Sequence, residues 1–208
     1  MLNAKIRKSL QTIVGPERLI DAPEDLLAYS YDAFVEEMTP ELVLLPESTA
    51  EVSAIMAIAH HEGIPVTARG AGTSICGASV PIRGGIVLSL TRMDRILAVS
   101  TPNRYCIVQP GVVNGDLQAR LAKEGFFYPP DPGSYMASTI GGNVAQNAGG
   151  PRCLKYGVTV DYVLSLEVVL PSGEVIRFGS RNVKDVTGYR LSSLFCGSEG
   201  TLGIVTEI

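Results

Sequence analysis

The chain has 208 residues, of which 46% are hydrophobic and 18% are charged, with a formal net charge of -4 and a pI near 5.2. This length is sufficient to bury a core, as one domain or as two small lobes. The acidic balance argues against a nucleic-acid partner, and no apolar run approaches the roughly 20 residues of a membrane span. The N-terminus lacks the apolar stretch of a secretory signal, so we expect a cytoplasmic protein without a transmembrane segment.

The first part of the chain is predicted to form a helix, a strand, a second helix and a second strand. An amphipathic helix is expected over about residues 3–14, and the two strands in ELVLLPES and PVTA. The helix between these strands is expected to begin at Ser48, which forms a capping-box pattern with Glu51. This order of elements is typical of a small α/β lobe.

The rest of the chain is richer in strands, which turn-type residues separate. A helix is predicted in VNGDLQARLAKEG, with Asn114 as its cap, and a hairpin over residues 161–179 with its turn at 171–173. Four further strand-like runs remain, and the first three of them are expected in an antiparallel or mixed sheet. In chain order these runs are GIVLSL, RILAVS, YCIVQP and the final GTLGIVTEI.

The loop ARGAGTSICGAS, residues 68–79, lies close to the G-x-G-x-x-G fingerprint of Rossmann dinucleotide sites. Gly70 and Gly72 fit, but Ile75 holds the third glycine position, and the glycines and proline that follow disfavour the required helix. An irregular loop that leads into a strand fits better. Its main-chain N–H groups would converge on an anion such as a phosphate; the alternative is an ordinary surface loop. The residues of this anion site would be Arg69, Gly70, Ala71, Gly72, Thr73 and Ser74.

A second unusual segment, PPDPGSYMASTIGGNVAQNAGG, covers residues 129–150. Its prolines predict an extended stretch, and one short helix is expected over residues 139–147. Gly141 and Gly142 cost this helix about 1 kcal/mol each, so we expect something flat or bulky to approach the backbone there. The alternative is a poor helix that the final glycine pair stops.

Amide side chains in the same helix could read the polar edge of a ring: Asn143, Gln146 and Asn147. A third segment, FCGSEGTLGIVTE, again sets glycines among small and hydroxyl residues. Three such segments in one chain indicate a single long ligand that passes all of them.

The cysteines lie far apart and form no CxxC pair, so the sequence predicts no metal site. We expect free thiols in a reducing compartment. These residues are Cys76, Cys106, Cys153 and Cys196.

Taken in order, PVTARGAGTSICGAS, PPDPGSYMASTIGGNVAQNAGGPRCLKYGV and VKDVTGYRLSSLFCGSEGTLGIVTE resemble the flavin-binding domain of the FAD-linked oxidases. This is the fold shared with vanillyl-alcohol oxidase and para-cresol methylhydroxylase (PCMH). The resemblance covers about residues 41–208 and is closest to the glycolate oxidase FAD-linked subunit and to D-lactate and D-2-hydroxyglutarate dehydrogenases. It implies an α+β, PCMH-type domain of two α/β lobes, the larger one with a mixed or antiparallel sheet.

We divide the chain accordingly into an N-terminal helical segment (1–40), a first FAD-binding lobe (41–81) and a second lobe (82–208). The second lobe is expected to be truncated, and the C-terminal cap domain of the family to be absent. In the family that cap supplies the substrate-binding and basic residues.

The resemblance also implies a role for each glycine-rich segment toward FAD. FAD should be bound non-covalently, because no His and no recognisable Cys linkage pattern lies near these loops. The implied residues are, for the pyrophosphate, Arg69–Ser74, Gly77 and Ala78; for the isoalloxazine and ribityl part, Pro132, Ser138, Thr139, Gly142, Ala145 and Asn147; and for the adenosine side, Glu199, Gly200, Gly203, Ile204 and Val205.

The implied reaction is that of a dehydrogenase or oxidase of glycolate or D-lactate type. A small 2-hydroxy acid would pass a hydride from its carbon to flavin N5 while a base takes the hydroxyl proton. The base is unknown: Arg152, Lys155 and Tyr156 are the nearest polar groups, and surface or flavin-shell roles are the alternative. We expect the isolated chain to bind FAD and to turn over little.

Two alternatives stay open at this point. One is a flavin-binding module or remnant that works only with a partner chain, such as an electron-transfer subunit. The other is an unrelated NAD enzyme, which the missing third glycine disfavours.

Overall fold

The computed structural model describes residues 2–208 and shows an α+β fold with three sheets in that part of the chain. The helices are α1 (Ala4–Val14), α2 (Pro23–Leu26), α3 (Thr49–Glu62), α4 (Asn114–Ala122), α5 (Ile140–Gln146), α6 (Cys153–Tyr156) and α7 (Leu191–Phe195). The strands are β1 (Leu19–Ile20), β2 (Leu42–Leu44), β3 (Val66–Arg69), β4 (Ile86–Ser89), β5 (Ile96–Ser100), β6 (Tyr105–Val108), β7 (Ser165–Val169), β8 (Val175–Gly179) and β9 (Ile204–Glu207).

The first sheet has the strand order β1-β2-β4-β3, with β1 antiparallel to β2 and the other pairs parallel. Helix α3 makes the crossover between β2 and β3 that parallel strands need. Side chains of α1, α3 and this sheet share one core, in which Leu10, Leu44, Ile55 and Leu88 are fully buried. The predicted strand–helix–strand lobe is therefore confirmed, and α1 packs within it.

Strand β4 was expected with the later strands, and this expectation was wrong. The strand lies between β2 and β3 and pairs in parallel with both. All four of its residues, Ile86–Ser89, are buried, as is usual for a central parallel strand covered on both faces. The division into 1–40, 41–81 and 82–208 stays a prediction; the strand pairing extends the first sheet to Ser89.

Helix α3 begins and ends as predicted. The Ser48 hydroxyl accepts a hydrogen bond from the Glu51 main-chain N–H at 3.2 Å, and Gly63 ends the helix with a φ of 65°. The return half of the capping box is absent from this helix. The Glu51 carboxylate instead accepts from the Glu47 N–H at 2.7 Å and from the Arg18 guanidinium at 2.7 Å.

The second lobe contains the antiparallel pair β5-β6 and the antiparallel sheet β8-β7-β9. The predicted β7–β8 hairpin is confirmed, with Val169 opposite Val175 at its turn end. Val108 and Ile208 exchange two main-chain hydrogen bonds of 2.9 Å, which join the two sheets. Asn114 is not the cap of α4 but its first residue, and its side-chain amide donates to the Pro130 carbonyl at 3.2 Å.

The two lobes are joined at α3 by side-chain hydrogen bonds. The Thr49 hydroxyl donates to the Glu167 carboxylate of β7 at 2.6 Å, and the Ser53 hydroxyl donates to the Gly173 carbonyl at 2.6 Å. We call these two bonds and the packing around them the α3–hairpin contact. It connects the first lobe to the hairpin of the second and so sets how the lobes face each other.

The Glu167 carboxylate should make this contact sensitive to acid. Burial would raise its pKa, but hydrogen bonds from Thr49 and Thr206 and the nearby Arg177 outweigh burial and lower the pKa. A carboxyl whose pKa is lower in the folded chain adds stability above its unfolded pKa and loses it as the pH falls through the folded value. We expect Glu167→Gln to unfold more easily than the unsubstituted chain at pH 7, with the difference shrinking toward pH 3. Urea titrations at both pH values measure this; an equal difference at both would contradict the ionised role.

Candidate cofactor-binding site

A cavity of about 570 Å³ lies between the lobes, where the three glycine-rich segments meet. This volume is within the usual range of cofactor sites. Most residues predicted for the site line it: Arg69, Gly70, Ala71, Gly72, Thr73, Ser74, Ala78, Pro132, Ser138, Thr139, Gly142, Ala145, Glu199, Gly200, Gly203, Ile204 and Val205.

The glycine loop after β3 is irregular and leads to β4 without a helix, as the sequence predicted. A Cβ atom on Gly70 would lie 2.3 Å from Thr139 Oγ1, so the loop backbone rests against the start of α5. Gly72 has a φ of 69°, and a Cβ there would lie 2.2 Å from the Arg69 guanidinium. Both glycines are therefore required by close approach within the chain.

Arg69 lies in the cavity wall and is buried, and its guanidinium is held by main-chain carbonyls. The side chain donates to the Tyr31 carbonyl at 2.7 Å and to the Ala28 and Ser79 carbonyls at 3.4 Å each. Burial lowers the pKa of Arg69, and the nearby Asp32 carboxylate acts in the opposite direction. The residue anchors the N-terminal segment under the loop, so an anion in the cavity would meet main-chain N–H groups at this point.

Helix α5 forms the opposite wall. Its cap is Thr139, whose hydroxyl accepts from the Gly142 N–H at 3.2 Å. A Cβ on Gly141 would lie 2.5 Å from Pro110 Cβ, so the bulky group expected at this glycine is Pro110 of the chain itself. Gly142 faces the cavity, and a Cβ there would have only Thr139 Oγ1 within 4 Å. The helix ends at Asn147, which has a φ of 47°, and not at the glycine pair that follows.

Two residues predicted for the site lie outside the cavity wall. Gly77 has a φ of 76° and adjoins the Phe34 ring, and it shapes the loop. The Asn147 side-chain carbonyl accepts from the Val160 N–H at 2.9 Å and so holds the chain after α6.

The polar groups considered as a base also lie outside this wall and are exposed. Arg152 forms an ion pair with Asp131 at 3.2 Å, and Lys155 Nζ lies 4.8 Å from the centre of the Tyr156 ring. Among the residues that line the cavity, the charged ones are Arg69 and Glu199.

Sequence reasoning missed the apolar part of the wall, formed by Leu90, Pro110 and Phe195. Leu90 and Pro110 stand in segments of ordinary composition, and Phe195 opens the third glycine-rich segment but was not itself predicted for the site. A second cavity of about 510 Å³, between β6 and the β7–β8 hairpin, contains none of the residues predicted for the site.

Two buried polar atoms in the cavity wall have no hydrogen-bond partner among residues 2–208: Ser138 Oγ and Asn143 Nδ2. Each residue is 3% exposed. Buried polar groups in folded proteins are nearly always paired, so these two point to a polar ligand. Together with the glycine loop, they fit a dinucleotide cofactor that carries phosphates and a polar ring.

A two-lobed α+β fold that brings three glycine-rich segments to one cavity defines a cofactor-binding domain without a Rossmann helix. Residues 40–179 match the family model described as "FAD binding domain". The chain therefore belongs to this FAD-binding family, and the cofactor of the family fits the cavity wall.

The curated relatives are oxidoreductases by name. The chain is 47% identical over 208 residues to "Glycolate oxidase subunit GlcD" of Bacillus subtilis (strain 168), covering 100% of this chain and 44% of that protein. It is 43% identical over 197 residues to "D-lactate dehydrogenase" of Anaerostipes hadrus, covering 94% and 41%. The chain thus spans less than half the length of these relatives.

Solved structures share the fold. An alkyldihydroxyacetonephosphate synthase has a TM-score of 0.87 at 26% identity, over 100% of this chain and 40% of that one. A p-cresol methylhydroxylase has a TM-score of 0.82 at 22% identity, over 98% and 42%. The predicted PCMH-type α+β fold is confirmed. Within the described residues, the helices are too short or too polar to cross a bilayer.

Proposed function

We propose that this chain is the FAD-binding part of a flavin-dependent dehydrogenase or oxidase of 2-hydroxy acids, of glycolate or D-lactate type. The observation that carries the proposal is the cavity between the lobes, whose wall combines the glycine loop with two unpaired buried polar groups. The fold alone does not select a reaction, since a synthase shares it. The identities of 47% and 43% favour the hydroxy-acid oxidoreductases.

When bound, FAD supplies the acceptor for a hydride. The chain's own residues would bind and orient it: the main-chain N–H groups of residues 70–74 toward the pyrophosphate, and the start of α5 toward the flavin ring. The residues predicted from the resemblance remain our proposal for this site, with Gly77 and Asn147 shaping the adjoining loops.

We propose that FAD is held non-covalently. The cysteine in the cavity wall is Cys76, whose thiol lies 2.9 Å from Ser74 Oγ and donates to Gln146 Oε1 at 3.2 Å. We also propose a cytoplasmic location, which the free thiols of all four cysteines support, and an electron-transfer partner, which the word subunit in one relative's name supports.

Turnover should need a free cation that this cavity wall does not offer, since its charged residues are Arg69 and the carboxylate Glu199. A 2-hydroxy acid requires a cation for its carboxylate and a base for its hydroxyl proton. The Arg69 guanidinium is bound to main-chain carbonyls, and Arg152 and Lys155 lie outside the wall. This supports the expectation that the 208-residue chain binds FAD and oxidises glycolate or D-lactate very slowly.

The test is an absorption spectrum of the purified chain after incubation with FAD and gel filtration, followed by acid precipitation. We expect flavin bands that stay with the protein and are released by acid. Dye-linked assays with glycolate and D-lactate should then show little reduction. Tighter binding of NADH than of FAD, or no uptake of FAD, would overturn the proposal; flavin that stays in the acid pellet would overturn non-covalent binding.

A further inference from the structure

The two ends of the glycine loop are bound to the same short stretch of the N-terminal segment. At one end, the Arg69 guanidinium donates to the Tyr31 carbonyl at 2.7 Å. At the other end, the Ser79 hydroxyl donates to the Asp32 carboxylate at 3.2 Å. The side chains that make these bonds belong to buried residues. The stretch precedes residues 40–179, the part of the chain that matches the FAD-binding family.

A third bond joins this stretch to the middle of the glycine loop. The Ala33 N–H donates to the Ser74 carbonyl at 2.9 Å. Because a peptide unit is planar and trans, this bond also fixes the direction of the Ile75 N–H, which points the opposite way. The direction of main-chain groups in the loop is thus set by a segment that lies outside the cavity wall.

Asp32 connects these contacts through both of its carboxylate oxygens. Its Oδ1 accepts from the Phe34 N–H at 2.8 Å, which forms an Asx turn and fixes the bend of the segment, while Oδ2 accepts from Ser79. Burial lowers the pKa of Arg69, and the Asp32 carboxylate nearby opposes this effect. A buried carboxylate is costly unless it is paired, and Asp32 is paired with groups that hold the loop.

We propose that Asp32 is a positioning residue for the cofactor, which holds the glycine loop in the shape that its main-chain N–H groups need for the pyrophosphate. This inference rests on the proposed function. N–H groups bind an anion well only when they converge on one place. A loop that is already held in that shape loses little conformational freedom when the cofactor binds. Asp32 lies outside the cavity wall, so it acts through Ser79 and the bonds around Arg69.

Three substitutions separate the hydrogen bonds of Asp32 from its charge. Asp32→Ala should raise the Kd for FAD about 30-fold, which corresponds to about 2 kcal/mol. Asp32→Asn should bind FAD within about threefold of the parent, because its oxygen can accept from Phe34 and its amide can donate to the Ser79 hydroxyl. It lacks the charge beside Arg69, so its melting temperature should fall. Ser79→Ala removes a single hydrogen bond and should raise the Kd about fivefold.

Glu51→Ala is the matched control. The Glu51 carboxylate also accepts from a main-chain N–H, that of Glu47, and from an arginine, Arg18, but these residues lie outside the cavity wall and away from the glycine loop. Glu51→Ala should therefore lower the melting temperature and leave the Kd for FAD unchanged.

Cys76 offers a measurement of loop shape that needs no FAD. This exposed cysteine lies in the glycine loop, and its thiol donates to Gln146 Oε1 at 3.2 Å. A loosened loop would release the thiol from this bond. In the FAD-free chain, iodoacetamide should therefore alkylate Cys76 about threefold faster in Asp32→Ala than in the parent or in Glu51→Ala.

The experiment combines FAD titration by fluorescence, melting temperatures and peptide mapping of alkylated Cys76 by mass spectrometry. Equal Kd values for Asp32→Ala and the parent, equal losses of affinity in Asp32→Ala and Glu51→Ala, or equal alkylation rates in all three would overturn the inference. Asp32→Asn that binds FAD as weakly as Asp32→Ala would overturn the hydrogen-bonding role.

Two further outcomes are covered by the same measurements. If Asp32→Ala does not fold, Ser79→Ala replaces it, and a parent-like Kd and alkylation rate for Ser79→Ala would overturn the inference. If the unsubstituted chain binds no FAD, the proposed function fails, while the alkylation rates of Cys76 still decide whether Asp32 holds the loop.

Discussion

Gly70→Ala is expected to raise the Kd for FAD about 100-fold, which corresponds to about 2.7 kcal/mol. The new methyl group would stand 2.3 Å from Thr139 Oγ1, well inside contact distance. Gly70 does not have a positive φ, so alanine itself is acceptable there, and the cost arises from this contact alone. Because the Thr139 hydroxyl caps α5, the loop must move away from it. The shift would cost a main-chain hydrogen bond to the charged pyrophosphate, worth about 1.5–3 kcal/mol.

A double substitution tests this explanation. Thr139→Ala removes the opposing oxygen and, as a lost helix cap, should cost about 1 kcal/mol of unfolding free energy. The next atom near the methyl group that Gly70→Ala introduces is Thr139 Cβ at 3.5 Å, an ordinary contact. The double variant should therefore bind FAD more tightly than Gly70→Ala alone, a non-additive result. Fluorescence titrations give the Kd for FAD of the parent, the two single variants and the double variant. Additive losses of affinity would show that the contact between residue 70 and Thr139 does not determine the position of the loop.

The features of the fold that the sequence predicted correctly depend on neighbouring residues. Ser48 caps α3 through a residue three positions away, and the hairpin turn needs only the glycine and small residues of 171–173. The loop after β3 lacks a helix because the glycines that follow Gly72 disfavour one. Each of these signals lies within a short continuous stretch of the chain, so the sequence alone contains it in full.

The features that the sequence did not reveal depend on contacts between distant segments. Gly141 lines the cavity, but the atoms nearest to its Cβ position belong to Pro110 from another segment, which the sequence did not reveal. Arg69 was predicted to offer its main-chain N–H to the phosphates, but the partners of its guanidinium, the Ala28, Tyr31 and Ser79 carbonyls, lie at positions that no local pattern indicates. The position of β4 likewise depends on its pairing with β2 and β3. Local composition predicts that something packs closely against a segment, whereas the tertiary fold determines which group that is.

Gly173 combines a strained local backbone with a close contact to a distant segment, so its substitution is expected to have a large effect. This residue has a φ of 90°, and a Cβ there would lie 2.7 Å from the Ser53 carbonyl oxygen and 2.9 Å from Ala57 Cβ in α3. Gly173→Ala should lower the free energy of unfolding by about 3 kcal/mol, of which about 1 arises from the positive φ and about 2 from overpacking. Because the hairpin would be pushed off α3, the Kd for FAD should also rise, about tenfold.

Gly84→Ala is the matched control for this substitution. Gly84 also has a positive φ, 67°, but has nothing within 4 Å of its Cβ position. Gly84→Ala should lower the free energy of unfolding by only the cost of the positive φ, about 1 kcal/mol, and should bind FAD normally. Urea unfolding and FAD titration of the two variants separate backbone strain in the turn from steric overlap with α3. Equal losses of stability, or normal FAD affinity in Gly173→Ala, would mean that the α3–hairpin contact does not set the geometry of the cavity between the lobes. The predicted difference would instead show that a contact made outside the cavity wall controls its affinity, because the two lobes supply opposite sides of one site.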